Sequence, residues 1–389
     1  MNKILKKIII TIFIFSGVSS FSQIYNTYEL ESKINQNNDK YGNQISAVYY
    51  SWIGLDSTAI TTFSKNRIRP QIEIKYNFTN FELIDAIEYI SQISVNYDII
   101  IINEAHHKSY DRKIIENLII ILSKNGYKNY FMEGFFNNTK TKERGFPIKS
   151  DGFYVKDPEY ANSIRTALKL KYNIFGYECS DPLDCPTPNL REQCQAENIY
   201  DILLTNNEKS IIHCGFSHAR IDDKLSDSWG NKAMARRLIE SLPNKKILTI
   251  DQVELSDNII NNKKSYNEII KNFAVEKPSF LKKNTYIFQD TLNTNKRYSL
   301  QIIQPPFPII KKGKHKIVLR NKRKGYLFVY DKTEFNSIKK KEDLIPKEVI
   351  FFNDFTAFSF YKNIFANNYV YYNNSITNYY ERIEEENCK

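Results

Sequence analysis

The chain has 389 residues and a formal net charge of +11, and 42% of its residues are hydrophobic. This length can bury a large core and predicts more than one domain. Basic runs at residues 311–316, 320–324 and 339–341 fit solvated faces and turns better than a nucleic-acid groove, because no aromatic-and-basic motif accompanies them. Nucleic acid is therefore not expected as a partner.

The first twenty-two residues follow the order of a secretory signal peptide. Lys3, Lys6 and Lys7 precede an apolar run over residues 8–18, and small serines follow it. The apolar run is short, since a membrane-spanning helix needs about 20 residues. We expect cleavage after Ser22, which leaves no stable membrane span and an exported protein, either periplasmic or secreted.

Strands and helices alternate along the next part of the chain. Residues 23–95 are expected to form an N-terminal segment that packs on the core and holds one helix over 80–94. A core domain follows over residues 96–283. Its predicted strands are 98–103, 130–133, 173–178, 210–215 and 246–251, and its predicted helices are 111–125, 158–171, 190–205 and 231–241. This alternation predicts an α/β fold with a mostly parallel sheet flanked by helices.

The pattern changes from residue 284 to residue 389. Short runs rich in tyrosine, phenylalanine and isoleucine replace the longer alternating segments, for example at 316–319, 326–330 and 349–352. Aromatic and β-branched runs between turns are typical of strands. We therefore expect a smaller β-rich C-terminal region.

Five cysteines are present, and three of them, Cys179, Cys185 and Cys194, lie within sixteen residues. Export permits disulfide bonds, and an odd count leaves at least one thiol outside any internal pair. Cys214 lies inside an apolar run and fits a small buried hydrophobic residue. We expect one disulfide at most, joining Cys194 to either Cys179 or Cys185.

Carboxylate and imidazole side chains stand at the ends of the predicted strands. They are Glu104, His106 and His107 after the first strand, Glu133 after the second, Glu178 after the third and His218 after the fourth. Parallel strands bring their carboxyl ends to one edge of the sheet, so these side chains are expected in one cleft. Glutamate and histidine can bind a divalent metal such as Zn, Mn or Co, or serve as general acid and base.

The histidines do not all fit the site equally well. His213 lies in mid-strand among apolar residues, which favours a hydrogen-bonded core histidine over a ligand. Successive residues of an extended segment point to opposite faces, so His106 is expected to share the face of Glu104. If the chain turns at Ala105, helical spacing brings His107 round instead, and His107 remains the alternative.

Three arginines open or line the helices beside these strands: Arg112, Arg165 and Arg191. A single arginine at such a place is usually the ion-pair partner of a buried carboxylate. Three near one edge can also hold an anionic group. Together with Glu178, they are the expected substrate-binding residues.

The order of these motifs resembles one superfamily, which includes erythromycin esterases, Tiki-type and TraB-type metalloproteases and ChaN-like haem-binding proteins. The resemblance covers about residues 99–252. Glu104 is similar to the glutamate of the first motif, Arg112 to the arginine that follows it, Glu133 to the glutamate that ends the second strand, and His218 to the histidine of a Gly-x-x-His motif.

The first-motif histidine has two possible positions. The spacing in Tiki-type and ChaN-like members selects His106, whereas the spacing in erythromycin esterases selects His107. Residues 191–192, 195–198 and 248–252 are also similar to a group of secreted bacterial proteins in this superfamily. Asn103 stands where a glycine usually precedes the first glutamate, which would narrow the backbone approach to a ligand.

The resemblance implies an exported hydrolase with a small-molecule or peptide substrate. In it, Glu104, His106, Glu133 and His218 would activate water, either directly or through a divalent metal held by Glu104, His106 and His218. The first motif lacks the flanking proline and valine of the Tiki-type proteases, which argues against protease activity in particular. The alternative that the resemblance implies is a ChaN-like protein that binds haem or another small ligand without turnover.

Overall fold

The chain divides into two units. The computed structural model describes residues 34, 42–65, 76–136, 138–179, 183, 185–223, 230, 232–256, 264–290, 296–306, 315–317, 325–352, 358–360, 366–374 and 380–383. Asp56–Ile309 is the larger unit, and Met1–Leu55 together with Ile310–Lys389 is the smaller one. The predicted signal peptide at 1–22 lies outside the described residues. None of the helices in the described part combines the length and apolar character that a membrane crossing requires.

Helices and strands alternate through most of the described chain. The helices are α1 (Gly42–Trp52), α2 (Asp56–Ser64), α3 (Ala86–Ile93), α4 (Ser109–Ser123), α5 (Asn138–Arg144), α6 (Pro158–Lys169), α7 (Pro188–Thr205), α8 (Met234–Ser241), α9 (Lys264–Asn272) and α10 (Lys332–Ser337). The strands are β1 (Glu82–Asp85), β2 (Ile99–Glu104), β3 (Tyr127–Met132), β4 (Asn173–Gly176), β5 (Lys209–Gly215), β6 (Ile247–Asp251), β7 (Ser279–Lys283), β8 (Tyr286–Ile287), β9 (Leu300–Gln301), β10 (His315–Ile317), β11 (Gly325–Asp331), β12 (Glu348–Phe352), β13 (Phe358–Phe360), β14 (Asn368–Asn374) and β15 (Tyr380–Ile383).

The larger unit is built on a six-stranded sheet in the order β4-β3-β5-β2-β6-β9. Every pairing in it is parallel, and Ile101 of β2 lies opposite Ile212 on one side and Thr249 on the other. All six residues of β2 are buried. A continuous apolar run is what a strand needs when helices cover both faces of the sheet. The prediction of an α/β fold with a parallel sheet is confirmed.

The smaller unit holds an antiparallel sheet in the order β12-β11-β14-β15. Its central strand β11 is buried from Gly325 to Tyr330, and Phe328 pairs with Val349 of β12 and Tyr371 of β14. Aromatic and β-branched residues in facing positions stabilise such pairs. The predicted β-rich C-terminal region is confirmed.

The helix predicted over 80–94 is wrong in its first half. Glu82–Asp85 is strand β1, which pairs antiparallel with β7. Only α3 is helical, and the carboxylate of Asp85 caps it by accepting from the backbone N–H of Glu88 at 3.0 Å. A short sequence window does not contain the partner strand, which lies almost two hundred residues later, so local periodicity alone favoured a helix.

The larger unit also extends beyond the predicted core domain at 96–283. On the N-terminal side, β1 joins it through the pairing with β7. On the C-terminal side, β9 adds to the parallel sheet at Ile250 and Asp251 of β6. These two strands are short, and neither carries a strong periodic pattern of its own.

Asn103 fastens three segments together at the carboxyl edge of the sheet. Its Nδ2 donates to Oδ1 of Asp251 at 2.8 Å and to the carbonyl of Phe216 at 2.7 Å, and its Oδ1 accepts from the N–H of Gln252 at 2.9 Å. The side chain is fully buried. Asparagine at this position therefore interlocks β2, β6 and the turn after β5.

We predict that Asn103→Gly strongly destabilises the protein. The change leaves buried polar groups of Phe216 and Gln252 without this partner, and each such loss costs about 1–3 kcal/mol. Asn284→Gly is the matched control, because Asn284 is exposed and has a φ of 56°, which glycine adopts freely. Its effect on the free energy of unfolding should stay within about 0.5 kcal/mol. Urea unfolding followed by circular dichroism measures both, and equal effects would contradict the interlocking role.

Candidate functional site

Four of the predicted side chains meet at the carboxyl edge of the parallel sheet. Glu104 ends β2, Glu133 follows β3, and His218 lies in a short 3-10 helix, Phe216–Ala219, after β5. Oε1 of Glu104 is 2.9 Å from Nδ1 of His106. Oε1 of Glu133 is 3.8 Å from Nε2 of His106 and 3.5 Å from Nε2 of His218. We call these four residues the Glu-His cluster.

Glu104 is buried and is surrounded by hydrogen-bond donors. Arg112 binds it with two nitrogens, Nε to Oε2 at 2.7 Å and Nη2 to Oε1 at 2.6 Å, and Nε2 of His213 lies 2.8 Å from Oε2. Arg112 is itself buried and pairs through Nη1 with Asp157 at 2.8 Å. Burial raises the pKa of Glu104, but the charges of Arg112 and His213 and hydrogen bonds from Arg112 and His106 outweigh it and hold the pKa well below its ordinary value.

His213 is a hydrogen-bonded core histidine, as the sequence predicted, yet it also belongs to the surroundings of the site. It is buried, and its Nδ1 lies 3.0 Å from the hydroxyl of Tyr130. A carboxylate can only accept, so Nε2 carries the proton that goes to Glu104. His213 therefore fixes the orientation of Glu104.

His106 is the histidine that contacts Glu104. Its ring stacks on Tyr154 with centroids 4.0 Å apart and meets the edge of Phe216 at 5.0 Å, and 13% of its side chain is exposed. Gly215 makes room for it, since a Cβ at that position would come within 2.2 Å of Cε1 and Nε2 of His106. The proton on Nδ1 points to Glu104, which leaves Nε2 directed toward Glu133.

His107 lies elsewhere. Its ring stacks on Phe63 with centroids 3.7 Å apart, and the residue is only 2% exposed. His106, and not His107, therefore lies beside Glu104, although β2 ends at Glu104 and the carbonyl of Ala105 accepts from the N–H of Lys108 at 2.7 Å, so the chain already turns here and strand alternation is not the cause. The role of His106 in chemistry stays a prediction.

The carboxylate of Glu133 accepts hydrogen bonds from two segments of the chain. Nη2 of Arg191 lies 2.7 Å from Oε1, and the backbone N–H of Gly215 lies 2.5 Å from Oε2. The carboxylate is 3% exposed. Burial raises its pKa, but the charges of His218, Arg191 and His106 outweigh this effect and lower the pKa far below the ordinary value. Glu133 is therefore ionised at neutral pH.

Glu192 of α7 binds His218 at Nδ1, the ring nitrogen that does not face Glu133. Nδ1 forms an ion pair with Oε1 of Glu192 at 2.5 Å, and Oε2 of Glu192 accepts from the backbone N–H of Met234. Burial lowers the pKa of His218, but the carboxylates of Glu192 and Glu133 outweigh both burial and the opposing charge of Arg191 and raise it above its ordinary value. His218 therefore favours the protonated form.

Sequence reasoning did not assign Glu192 to the site, although a signal for it exists. The buried residues of α7 include Glu192, Ala196, Ile199 and Leu203, which recur at helical spacing. A glutamate within that apolar stripe must have a partner, because burying a lone carboxylate is costly. The stripe therefore marks Glu192 as a residue that pairs with something in the interior.

Arg191 bridges the carboxylates of Glu133 and Glu178. Besides Glu133, it binds Glu178 through Nη2 at 2.6 Å and Nε at 3.2 Å, and its Nη1 lies 3.2 Å from Nε2 of His218. About a third of its side chain is exposed, 34%. Among the predicted substrate-binding residues, Arg191 and Glu178 lie at the solvent side of the cluster.

The other two predicted substrate-binding arginines are placed differently. Arg112 is fully buried and its guanidinium is bound to Glu104 and Asp157, so it supports the site from within, and its assignment to substrate binding stays a prediction. Arg165 donates from Nη1 to Oδ1 of Asn162 on its own helix at 2.9 Å, and its assignment to the site stays a prediction.

The donor set fits acid–base chemistry better than a divalent metal held by Glu104, His106 and His218. Both oxygens of Glu104 already accept from Arg112, and a guanidinium next to them opposes a second cation. Arg191 places another positive charge 3.2 Å from Nε2 of His218. Within the described ranges, the group whose ligand atoms lie within 4.8 Å of one another is Cys179, Cys185 and Cys194 rather than the Glu-His cluster.

The predicted disulfide of Cys194 is wrong. Cys179 bonds to Cys185, which closes a short loop before α7, and Cys194 is a thiol on that helix. The Cα atoms of the bonded pair are 6.6 Å apart, within the span that a disulfide bridges. Sequence spacing alone does not distinguish among three nearby cysteines.

Fold and site together define a parallel α/β protein with a buried glutamate–histidine constellation at the carboxyl edge of its sheet. No family model and no curated protein matches the chain. Two solved structures are similar to it. ChaN of Campylobacter jejuni, in a structure of its cofacial heme binding, has a TM-score of 0.34 and 14% identity, with 47% of this chain and 93% of that chain covered. The type III effector HopBA1 has a TM-score of 0.30 and 13% identity, covering 47% and 87%. Likeness at this level assigns neither ligand nor activity.

We predict that Gly215→Ala displaces the His106 ring while the chain still folds. Gly215 has a φ of −91°, which alanine adopts, so the clash with His106 is the main cost, about 1–3 kcal/mol. Resonances of labelled histidine should show that the His106 ring loses the shift caused by the stacked Tyr154 ring.

Gly126→Ala is the control for that experiment. Gly126 has a φ of +85°, and a Cβ at that position would meet no atom within 4 Å, so alanine there strains the backbone without touching the site. It should lower stability and leave the His106 resonances in place. Unchanged His106 resonances in Gly215→Ala would contradict the close approach.

Asp111 is a second buried carboxylate beside the Glu-His cluster. Its Oδ2 accepts from the N–H of Ala105 at 2.9 Å, which ties the loop after β2 to the first turn of α4. Burial, with a smaller contribution from the charge of Glu104, raises the pKa of Asp111 to about 7 against the lowering effects of Lys108, the Ala105 bond and Arg112. Below about pH 7, the folded protein therefore favours the protonated form of Asp111.

We predict that Asp111→Asn becomes increasingly stabilising, relative to wild type, as pH rises. The folded pKa lies above the ordinary value of 3.8, so ionisation in the unfolded chain opposes folding from about that pH up to about 7, and the penalty is constant above it. Asparagine keeps an acceptor for Ala105 and has no charge to bury. Urea midpoints of both proteins at about pH 4.5 and about pH 8 give the double difference. A difference that does not change with pH would contradict the raised pKa.

Proposed function

We propose that this protein is a hydrolase that activates water with a histidine held by a buried glutamate. One observation carries the proposal. His106 and His218 are each bound at Nδ1 by a buried carboxylate, Glu104 and Glu192, and each directs Nε2 toward Glu133, at 3.8 and 3.5 Å. A carboxylate at Nδ1 fixes the tautomer and orients the ring, which is how histidine is prepared for proton transfer.

His106 is suited to the role of general base. In the neutral form of the ring, with the Nδ1 proton donated to Glu104, Nε2 has a free lone pair, and the partly exposed ring can reach a water molecule. When Nε2 takes a proton from that water, the negative charge of Glu104 stabilises the imidazolium. Glu133, which is ionised and 3.8 Å away, adds to this stabilisation.

His218 is suited to the role of general acid. Its pKa is raised, so the folded protein stabilises the protonated form, in which the Nε2 proton faces Oε1 of Glu133 at 3.5 Å, and Glu192 holds the ring in place. In ester hydrolysis, the water oxygen bonds to the acyl carbon and its proton goes to His106. The bond between the acyl carbon and the leaving oxygen then breaks, and that oxygen takes the proton of His218. Exchange with solvent afterwards removes the proton from His106 and returns one to His218. Two neighbouring groups whose environments separate their roles in this way are typical of acid–base catalysis.

Arg191 is suited to bind negative charge that develops on the substrate. Its guanidinium is partly exposed, lies beside His218 and is held in place by Glu133 and Glu178. A fixed donor aimed at the developing charge needs no reorganisation during the reaction. The substrate class that fits best is a small ester or peptide-like molecule with an anionic group near the scissile bond.

The paired variants His106→Ala and His107→Ala test this proposal. On a panel of chromogenic carboxylic and phosphoric esters, His106→Ala should lower kcat/KM by about 10²–10⁴-fold, the usual contribution of a general base. His107→Ala should keep turnover within a few-fold and lower the urea midpoint, because its ring packs on Phe63. The two changes are chemically identical, so each serves as the control of the other.

Three results would contradict the proposal. Loss of turnover in His107→Ala alone would place the first-motif histidine at the other position. Stoichiometric metal that disappears in Glu104→Gln would replace direct water activation by a metal mechanism. A Soret band on addition of haem, lost in His106→Ala and without turnover of any ester, would assign the protein to ligand carriers.

A further inference from the structure

Three sulfur atoms lie together at the start of α7. The Sγ atoms of Cys179, Cys185 and Cys194 are all within 4.8 Å of one another, and all three residues are partly buried. Thiolates around one tetrahedral zinc ion have Zn–S distances of about 2.3 Å, which puts their sulfurs about 3.8 Å apart. Sγ of Cys194 therefore already lies close to both other sulfurs, whereas Cys179 and Cys185 are joined by a disulfide and their sulfurs reach that spacing only when the bond is opened.

The segments that carry these cysteines are held together by contacts other than the disulfide. Asn198 of α7 donates from Nδ2 to the carbonyls of Tyr177 and Glu178, at 3.1 and 3.0 Å, and the same nitrogen lies 3.5 Å from Sγ of Cys194. Cys179 directly follows Glu178. Opening the disulfide therefore leaves Cys179 next to Cys194.

Side-chain bonds to Glu178 reinforce this arrangement. Arg191 and Gln195, on either side of Cys194 along α7, bind its carboxylate at 2.6 Å and 3.1 Å. Cys185 is close to the same helix in sequence, two residues before Thr187, whose hydroxyl caps α7 by accepting from the N–H of Leu190. Cys194 thus lies on α7, Cys179 follows a residue that α7 binds, and Cys185 lies two residues before the residue that caps the helix.

We propose that Cys179, Cys185 and Cys194 form a redox-gated site for a thiophilic ion such as Zn²⁺. In the disulfide form, two of the three sulfurs lack the charge that a metal ligand needs. A dithiol reductant opens the bond: its two thiol hydrogens go to the sulfurs of Cys179 and Cys185, and the reductant itself closes to a disulfide. The ion then binds three thiolates and displaces their protons, and solvent supplies a fourth ligand.

The site is distinct from the Glu-His cluster, and its test needs no substrate. The full chain is reduced with a phosphine, freed of reductant without oxygen and titrated with Co²⁺. We expect one Co²⁺ per chain, with sulfur-to-cobalt charge-transfer absorption and ligand-field bands of tetrahedral strength, and displacement by Zn²⁺. The disulfide form should give no such absorption. A metal at the glutamates and histidines would give no sulfur charge-transfer band, so the two sites are distinguishable.

Cys194→Ser should weaken Co²⁺ binding by at least about tenfold, because a direct ligand contributes no less than an outer-shell partner. Cys214→Ala is the matched control, since Cys214 is a buried thiol on β5 outside the three-sulfur group, and it should leave the affinity unchanged. In a second readout, Zn²⁺ should protect Cys179, Cys185 and Cys194 from alkylation, mapped by mass spectrometry.

Two outcomes would overturn the proposal. One is a reduced protein that is folded by circular dichroism yet shows no thiolate-to-cobalt band. The other is equal affinity in Cys194→Ser and wild type. If Cys194→Ser does not fold, Cys185→Ser replaces it, and retained affinity in that variant would overturn the proposal equally.

Discussion

The buried ion pair between Glu104 and Arg112 constrains the rest of the site. Taking both charges out of water costs several kcal/mol per ion, so every hydrogen-bonding direction around them has to be filled. Arg112 and the two histidines His106 and His213 supply the donors to Glu104, and Asp157 binds the far side of Arg112. The orientations of both histidine rings therefore follow from the acceptor directions of one carboxylate.

The same constraint favours proton chemistry over a cation at this edge. Acidic and basic groups alternate through direct contacts from Asp157 and Arg112 through the Glu-His cluster to Arg191 and Glu178. A divalent ion at Glu104 would have to displace a guanidinium that is already bound by two hydrogen bonds. A proton can move onto Nε2 of His106 without breaking either of them. Both oxygens of Glu104 are thus already bound by protein donors, and the ring of His106 beside them is partly exposed.

Much of this arrangement follows from the sequence. Residues 99–102 form an apolar run that is typical of a strand covered on both faces, and parallel topology then brings Glu104, Glu133 and His218 to one edge. Pairings between segments that are far apart in the sequence, or between equivalent cysteines, do not follow from the sequence pattern. Strand β1 depends on β7, and the disulfide partner of Cys179 depends on where the chain places three sulfurs that are nearly equivalent in sequence.

The sequence predicts only in part the buried residues that contact the Glu-His cluster. His213 interrupts the apolar strand β5, and Glu192 interrupts the apolar stripe of α7. Each looks like a core position, and each is one, yet a titratable group at a core position is stable only when a second polar group meets it there. The partners are Glu104 and His218, which belong to the site itself. A polar residue within an apolar repeat therefore predicts a buried polar partner, and for His213 and Glu192 that partner belongs to the Glu-His cluster. Such a residue packs in the core and supports the site at the same time.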